Sequence, residues 1–141
     1  LGYALDSFVL FDPSGGENYR DIIPLIEHEL AERLGSDALP ACPAQGRLSR
    51  QLKHFPIVPE VAIRPDERGQ HYILSIAAAD RPGLLFAIAS ILSEHGVDLY
   101  TAKISTLGER AEDTFLISGA NLASTAGIVK LEGALQKALQ I

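Results

Sequence analysis

The residues with most chemical promise are Asp80-Arg81-Pro82-Gly83-Leu84-Leu85, an acid, a base and a Pro-Gly pair set between a strand pattern and a helix pattern. The N–H groups at a helix start lack intrahelical acceptors, and the helix dipole places its positive end there. A carboxylate or a phosphate suits such a place. Pro82 fits a first helical turn, with Asp80 or Arg81 at the cap, and Gly83 lets another group approach the backbone. The plain alternative is a tight strand-to-helix turn that binds nothing.

Other chemistry is thinly supplied. His28, His54, His71 and His95 form no pair at ligand spacing, so metal ligation is not expected and surface or cap roles are. Cys42, flanked by Ala41 and Pro43, reads as a loop thiol without a placed base. A single cysteine forms no internal disulfide, which fits a cytoplasmic location. Acid–base catalysis requires converging carboxylates. Asp98, Glu109, Glu112 and Asp113 instead lie beside turns, where a solvated face is expected. There is no Gly-x-Gly-x-x-Gly, Walker or Gly-x-Ser-x-Gly pattern. No catalytic site is expected in this chain.

The elements that position the Asp80–Leu85 hexapeptide follow from periodicity. Tyr72 to Ala77 reads as a buried strand. Leu84, Leu85, Ile88, Ile91 and Leu92 recur at helical spacing, and Gly96 ends that helix after His95. Val97 to Ser105 reads as a long strand, turned by Leu107-Gly108-Glu109-Arg110 into a second, Ala111 to Ser118. Ser124 or Thr125 caps a last helix carrying Ile128, Leu131, Leu135 and Leu139. Strand, helix, strand, strand, helix is the split β-α-β order of a ferredoxin-like α+β fold, short of its final strand. Glu60-Val61-Ala62-Ile63-Arg64 is expected to fill the vacant edge, antiparallel to Ile73–Ile76, because an open edge is a liability. Pro65 to Gln70 makes a good hairpin loop between the two.

Three blocks carry a resemblance: Asp80 to Leu85, Ala102-Lys103-Ile104-Ser105-Thr106, and Gly108-Glu109-Arg110-Ala111-Glu112-Asp113-Thr114-Phe115. In this order they resemble an ACT domain, a small-molecule regulatory module, over about residues 60–141. They are most similar to the C-terminal ACT domains of the bifunctional PII uridylyltransferase/uridylyl-removing enzymes. Arg47 to Phe55 also looks like the segment joining two ACT domains in that family. The resemblance implies glutamine as ligand, its amine and carboxylate meeting backbone groups around Asp80, Arg81, Pro82, Gly83, Leu84 and Leu85. Specificity would come from polar side chains near Tyr100, Lys103 and Asp113. It further implies catalytic domains elsewhere in the parent chain, the PII protein as their substrate, and magnesium as their cofactor. An architectural module that forms an ACT–ACT homodimer and binds no ligand is the competing expectation.

The chain's two ends repeat. Asp6-Ser7-Phe8-Val9-Leu10 matches Asp113-Thr114-Phe115-Leu116-Ile117 in residue class. A helix with Ile22, Ile26, Leu30 and Leu34 follows, starting near Asp21 so that Pro24 stays in its first turn, and Gly35 ends it. Residues 1–35 thus read as the back half of a first ACT module, opening inside a strand from Tyr3 to Phe11. Residues 36–59 read as a connector punctuated by Pro40, Pro43, Pro56 and Pro59. A short helix with Arg47, Arg50 and Lys53 along one edge is expected within it, solvated or docked on acidic catalytic domains. Residues 60–141 form the second module. The chain contains no methionine, so it is expected to be a piece of a longer polypeptide.

Composition narrows the partners. Of 141 residues 47% are hydrophobic and 21% charged, as in ordinary globular proteins. The net charge of −6 argues against nucleic acid as a partner. RNA-recognition motifs share the strand order, but Ala111 to Ser118 offers only Phe115 for base stacking. No apolar run approaches the ~20 residues that span a bilayer, so no membrane partner is expected.

Overall fold

The computed structural model describes residues 7–10, 19–36, 38, 40–41, 43 and 56–140. The chain divides into two compact units, Leu1–Ala41 and Cys42–Ile141.

In the first unit, α1 spans Tyr19–Leu34 and carries the predicted Ile22, Ile26, Leu30, Leu34 stripe. Gly35 closes it as expected, its N–H donating to the Ala31 carbonyl at 3.0 Å. The start differs from expectation: α1 begins at Tyr19, so Pro24 lies past the first turn. The ring's fixed φ is already helical, and its missing N–H removes one bond, to the Arg20 carbonyl. Of the expected opening strand, Ser7–Leu10 is described and is not a strand. A strand exists only through a paired neighbour, and no described residue of this unit supplies one. The rest of that strand, the basic helix through Arg47, Arg50 and Lys53, Cys42 and His54 lie outside the described residues.

The second unit comprises β1 (Glu60–Pro65), β2 (Tyr72–Ala79), α2 (Leu84–Glu94), β3 (Asp98–Lys103), β4 (Thr106–Leu107), β5 (Arg110–Ser118), a 3₁₀ turn at Ala120–Ala123 and α3 (Thr125–Leu139). The sheet order is β1-β2-β5-β3, all antiparallel, with β4 pairing only with β5. This is the predicted α+β ferredoxin-like fold. Alternation fixes which face is buried. Leu74, Ile76 and Ala78 of β2 and Ala111, Phe115 and Ile117 of β5 point one way and meet Leu84, Ile88 and Leu92 of α2 and Leu131, Leu135 and Leu139 of α3.

The edge strand was correctly anticipated: Glu60 pairs with Ala77 and the ladder runs to Pro65 opposite Tyr72. Helix α3 covers its outer side. Glu132 accepts a hydrogen bond from the Ile63 N–H at 2.8 Å, and the Gln136 side-chain amide donates to the Pro59 carbonyl at 2.8 Å. Covering an edge in this way removes a pairing site for foreign strands.

Helix α2 ends in a Schellman motif, with Gly96 N–H on Ser93 O at 3.0 Å and Val97 N–H on Leu92 O at 2.9 Å. Gly96 takes φ 61°, the left-handed conformation that made it the expected stop. Ser124 caps α3 through Gly127 N–H at 3.1 Å, as its sequence position implied.

The expected continuous strand from Val97 to Ser105 is broken. A bulge at Tyr100 interrupts β3, and the ladder lapses at Ile104–Ser105 before resuming in β4. The Asp113 side chain takes the amide of Ser105 there, in place of a ladder bond. The 3₁₀ turn, which buries Leu122, carries no hydrophobic period and was not expected.

Candidate functional site

The turn between β2 and α2 is built by backbone geometry. Leu84 N–H donates to Arg81 O at 3.1 Å, and Gly83 sits at φ 81°, ψ 6°. Those angles at the third residue, after proline at the second, make Arg81–Leu84 a type II turn. Pro82 therefore precedes the helix, contrary to the expected first-turn placement. Gly83, not Asp80 or Arg81, is the N-cap. Pro82 and Gly83 satisfy the turn's two conformational demands, fixed negative φ and then positive φ, which outweigh helix capping.

Gly83 accepts Ala87 N–H at 2.9 Å but has no side chain to cap the helix. The amides of Leu85 and Phe86 are left without an acceptor among the described residues. The turn is held at both flanks. Asp80 N–H donates to Glu109 O at 2.8 Å, and the Arg81 guanidinium donates to Ala138 O at 2.7 Å, near the negative end of α3.

A cleft of about 330 Å³ opens beside this turn. One wall is Asp80, Arg81, Gly83, Leu84, Leu85 and Phe86; the other includes Ile104, Thr106, Ala111 and Asp113, with Pro43 at the side. Leu85, on the predicted helical stripe and in the predicted hexapeptide, is 46% exposed, because the first turn of α2 directs it to this rim.

Asp113 contradicts its expected solvated setting. It shares the phase of Ala111, Phe115 and Ile117 on β5 and is 2% exposed. Its Oδ1 accepts the Ser105 N–H at 3.2 Å, and its Oδ2 is buried without a partner. Burial lifts its pKa above the ordinary carboxylate value, the Ser105 amide opposes that lift, and the charge of Asp80 adds to it. Glu109, also expected in solvent, buries its Oε2 without a partner.

The structure thus gathers Asp80, Arg81, Gly83, Leu84, Leu85 and Asp113 in one cleft, with Pro82 in the turn but off its lining. Lys103 lies elsewhere. It lines a second concavity of about 430 Å³, reached also by Asp113, with Glu60, Ser75, Glu112 and Thr114. Tyr100 lines neither concavity. It stands at the β3 bulge with its ring edge-on to His71, centroids 4.4 Å apart. Phe86 and Ile104 were not singled out from sequence; both are apolar residues in apolar runs and carry no distinguishing signal. Asp113 did have one, a carboxylate in register with a buried alternation.

Comparison with known proteins adds two findings. The sequence profile of the ACT domain matches residues 72–131, from β2 into α3. Over 140 residues the chain is 62% identical to the bifunctional uridylyltransferase/uridylyl-removing enzyme of Aromatoleum aromaticum, covering 99% of the chain and 16% of that relative. Relatives of the same name from Cupriavidus pinatubonensis and Cupriavidus metallidurans are 54% and 52% identical, again over 99% of the chain. The chain therefore spans about a sixth of the length of these curated relatives, 16–17%.

Proposed function

We propose, from the ACT-domain match over residues 72–131, that this chain is a regulatory rather than a catalytic part of its protein and senses free glutamine in the cleft at the start of α2. The observation that carries this reading is the pairing of two unsatisfied helix-start amides, Leu85 and Phe86, with a buried carboxylate, Asp113, across one cleft. An α-amino acid presents the matching charges, a carboxylate for the amides and an ammonium for the acid. Arg81 and Glu109 hold the turn in place, and Leu84, Ile104 and Ala111 supply apolar wall for an aliphatic side chain.

By similarity to relatives with that printed name, the signal acts on uridylyl transfer to PII and its removal, carried out in the cytoplasm by catalytic domains in other parts of a longer protein. Glutamine bound here disfavours transfer and favours removal. Residues 1–35 are proposed as the back half of a first ACT module. Magnesium is proposed for the transfer step in those other domains; among the described residues no three His, Cys, Asp or Glu group to hold a metal ion.

A second reading, an ACT–ACT homodimer, is favoured by one feature. Strand β3 is exposed along its whole length, with Leu99 at 52% and Tyr100 at 61%. The two readings separate in one experiment. Calorimetric titration of the 141-residue chain with L-glutamine should give saturable heat. Absence of heat, alongside a dimer in light scattering, would favour the architectural role.

A further inference from the structure

Both helices of the second unit pack on the sheet face that carries Leu74, Ile76, Phe115 and Ile117. The other face is open, and Ala62, Glu112 and Thr114 on it are exposed. Its make-up follows from register, because residues directly paired across antiparallel strands share a face. Glu60, Ala77 and Glu112 form a first row across it. Ala62, Ser75, Thr114 and Lys103 form a second, and Arg64, Ile73, Leu116 and Thr101 a third. Asp98 follows beside Ser118. The small side chains of the second row floor a concavity of about 430 Å³, and Ile73 and Leu116 set an apolar pair next to it on the two central strands.

The charges on the two outer strands are ordered. Along β1 comes an acid and then a base, Glu60 and Arg64; along β3, taken in the same direction, comes a base and then an acid, Lys103 and Asp98. All four are exposed. The ion pairs among the described residues are Glu29–Arg33 and Glu112–Arg110, so none of the four is neutralised within the chain.

We propose that this open face is a contact between two copies of the chain, stacked sheet on sheet about a twofold axis parallel to the strands and between β2 and β5. That axis lays β1 of one copy over β3 of the other. Glu60 then faces the partner's Lys103 and Arg64 faces the partner's Asp98, each about one row along, and symmetry doubles both pairs. Ile73 lies over the partner's Leu116 at the centre. Packed sheets stand ~10 Å apart, a gap that a glutamate and a lysine bridge together. An apolar centre within a charged rim is the usual build of a protein interface. The reciprocal order of charge on β1 and β3 is what selects a second copy over a foreign partner. This surface is separate from the exposed edge of β3, and the proposal does not depend on glutamine binding.

The test is sedimentation of the 141-residue chain. It should show a concentration-dependent dimer that weakens as NaCl rises from ~0.05 to ~0.5 M. Glu60→Lys alone, or Lys103→Glu alone, opposes like charges twice per dimer and should raise the dimer Kd about tenfold. An equimolar mixture of the two variants should regain wild-type affinity within a few-fold, because both contacts of the heterodimer again pair opposite charges. Circular dichroism checks that each variant folds, and Arg64→Asp mixed with Asp98→Arg repeats the design should one of the first pair fail. A wild-type chain that is monomeric at ~1 mM overturns the proposal. So does a mixture that associates no better than its components, and so does a dimer that neither variant weakens, since its contact must then lie on another surface.

Discussion

Gly83→Ala should destabilise the second unit by about 1 kcal/mol, a sum of two terms. At φ 81°, a Cβ clashes with its own backbone, and the left-handed region costs an L-residue ~1–2 kcal/mol. Alanine also narrows the unfolded ensemble, which returns ~0.4–1 kcal/mol. Packing adds little, since the new Cβ would lie 3.4 Å from Pro43 Cγ. Gly133→Ala is the matched control. It is exposed within α3, a methyl added there meets nothing within 4 Å, and alanine is the better helix former by ~0.8–1 kcal/mol. One chemical change should therefore move stability in opposite directions at two sites, a separation of about 2 kcal/mol or roughly 10 °C in Tm. Thermal and urea denaturation of the 141-residue chain read it directly. If Gly83→Ala matched or exceeded wild-type stability, the type II turn would be wrong, and with it the cleft's amide wall.

Three further outcomes are expected. Asp113→Asn should stabilise the chain by about 1 kcal/mol at pH 7; because the folded-state pKa is raised, the charge penalty is absent below the unfolded value and grows as pH rises through the folded one, so the gain should vanish near pH ~3.5 in urea titrations. A gain equal at both pH values would refute that assignment. Glu132→Ala should cost about 1–2 kcal/mol by freeing the Ile63 N–H, seen as faster amide exchange at Ile63 than at Ile76. In the longer protein, Gly83→Val should blunt the glutamine response while basal uridylyl transfer persists, with circular dichroism separating lost coupling, typically ~1–3 kcal/mol, from lost folding.

Much of the second unit was legible because its signals are local and mutually consistent. Alternation at Val61 and Ile63, with a Pro-Asp-Glu-Arg-Gly hairpin behind it, named the edge strand and its partner. The failures share a cause: one residue type served two rules. Pro82 satisfies both a helix start and a type II turn, and only the Gly83 φ decides between them. Asp113 satisfies both a hairpin flank and a buried alternation. Its fate depends on the Ser105 amide, freed by a ladder break that no hydrophobic period announces. Pro24 belonged to a first turn that starts earlier than the apolar stripe does. The cleft's far wall was illegible for a different reason: Ile104 and Ala111 become lining residues only once β3 and β5 are paired.

The most direct test of the account is a glutamine titration of the ¹⁵N-labelled 141-residue chain followed by amide chemical shifts. The account predicts saturable shifts concentrated at Leu85, Phe86 and Ser105, the two helix-start donors and the amide held by Asp113. Shifts confined to the sheet face around Ser75 and Thr114, or none at millimolar glutamine, would contradict it.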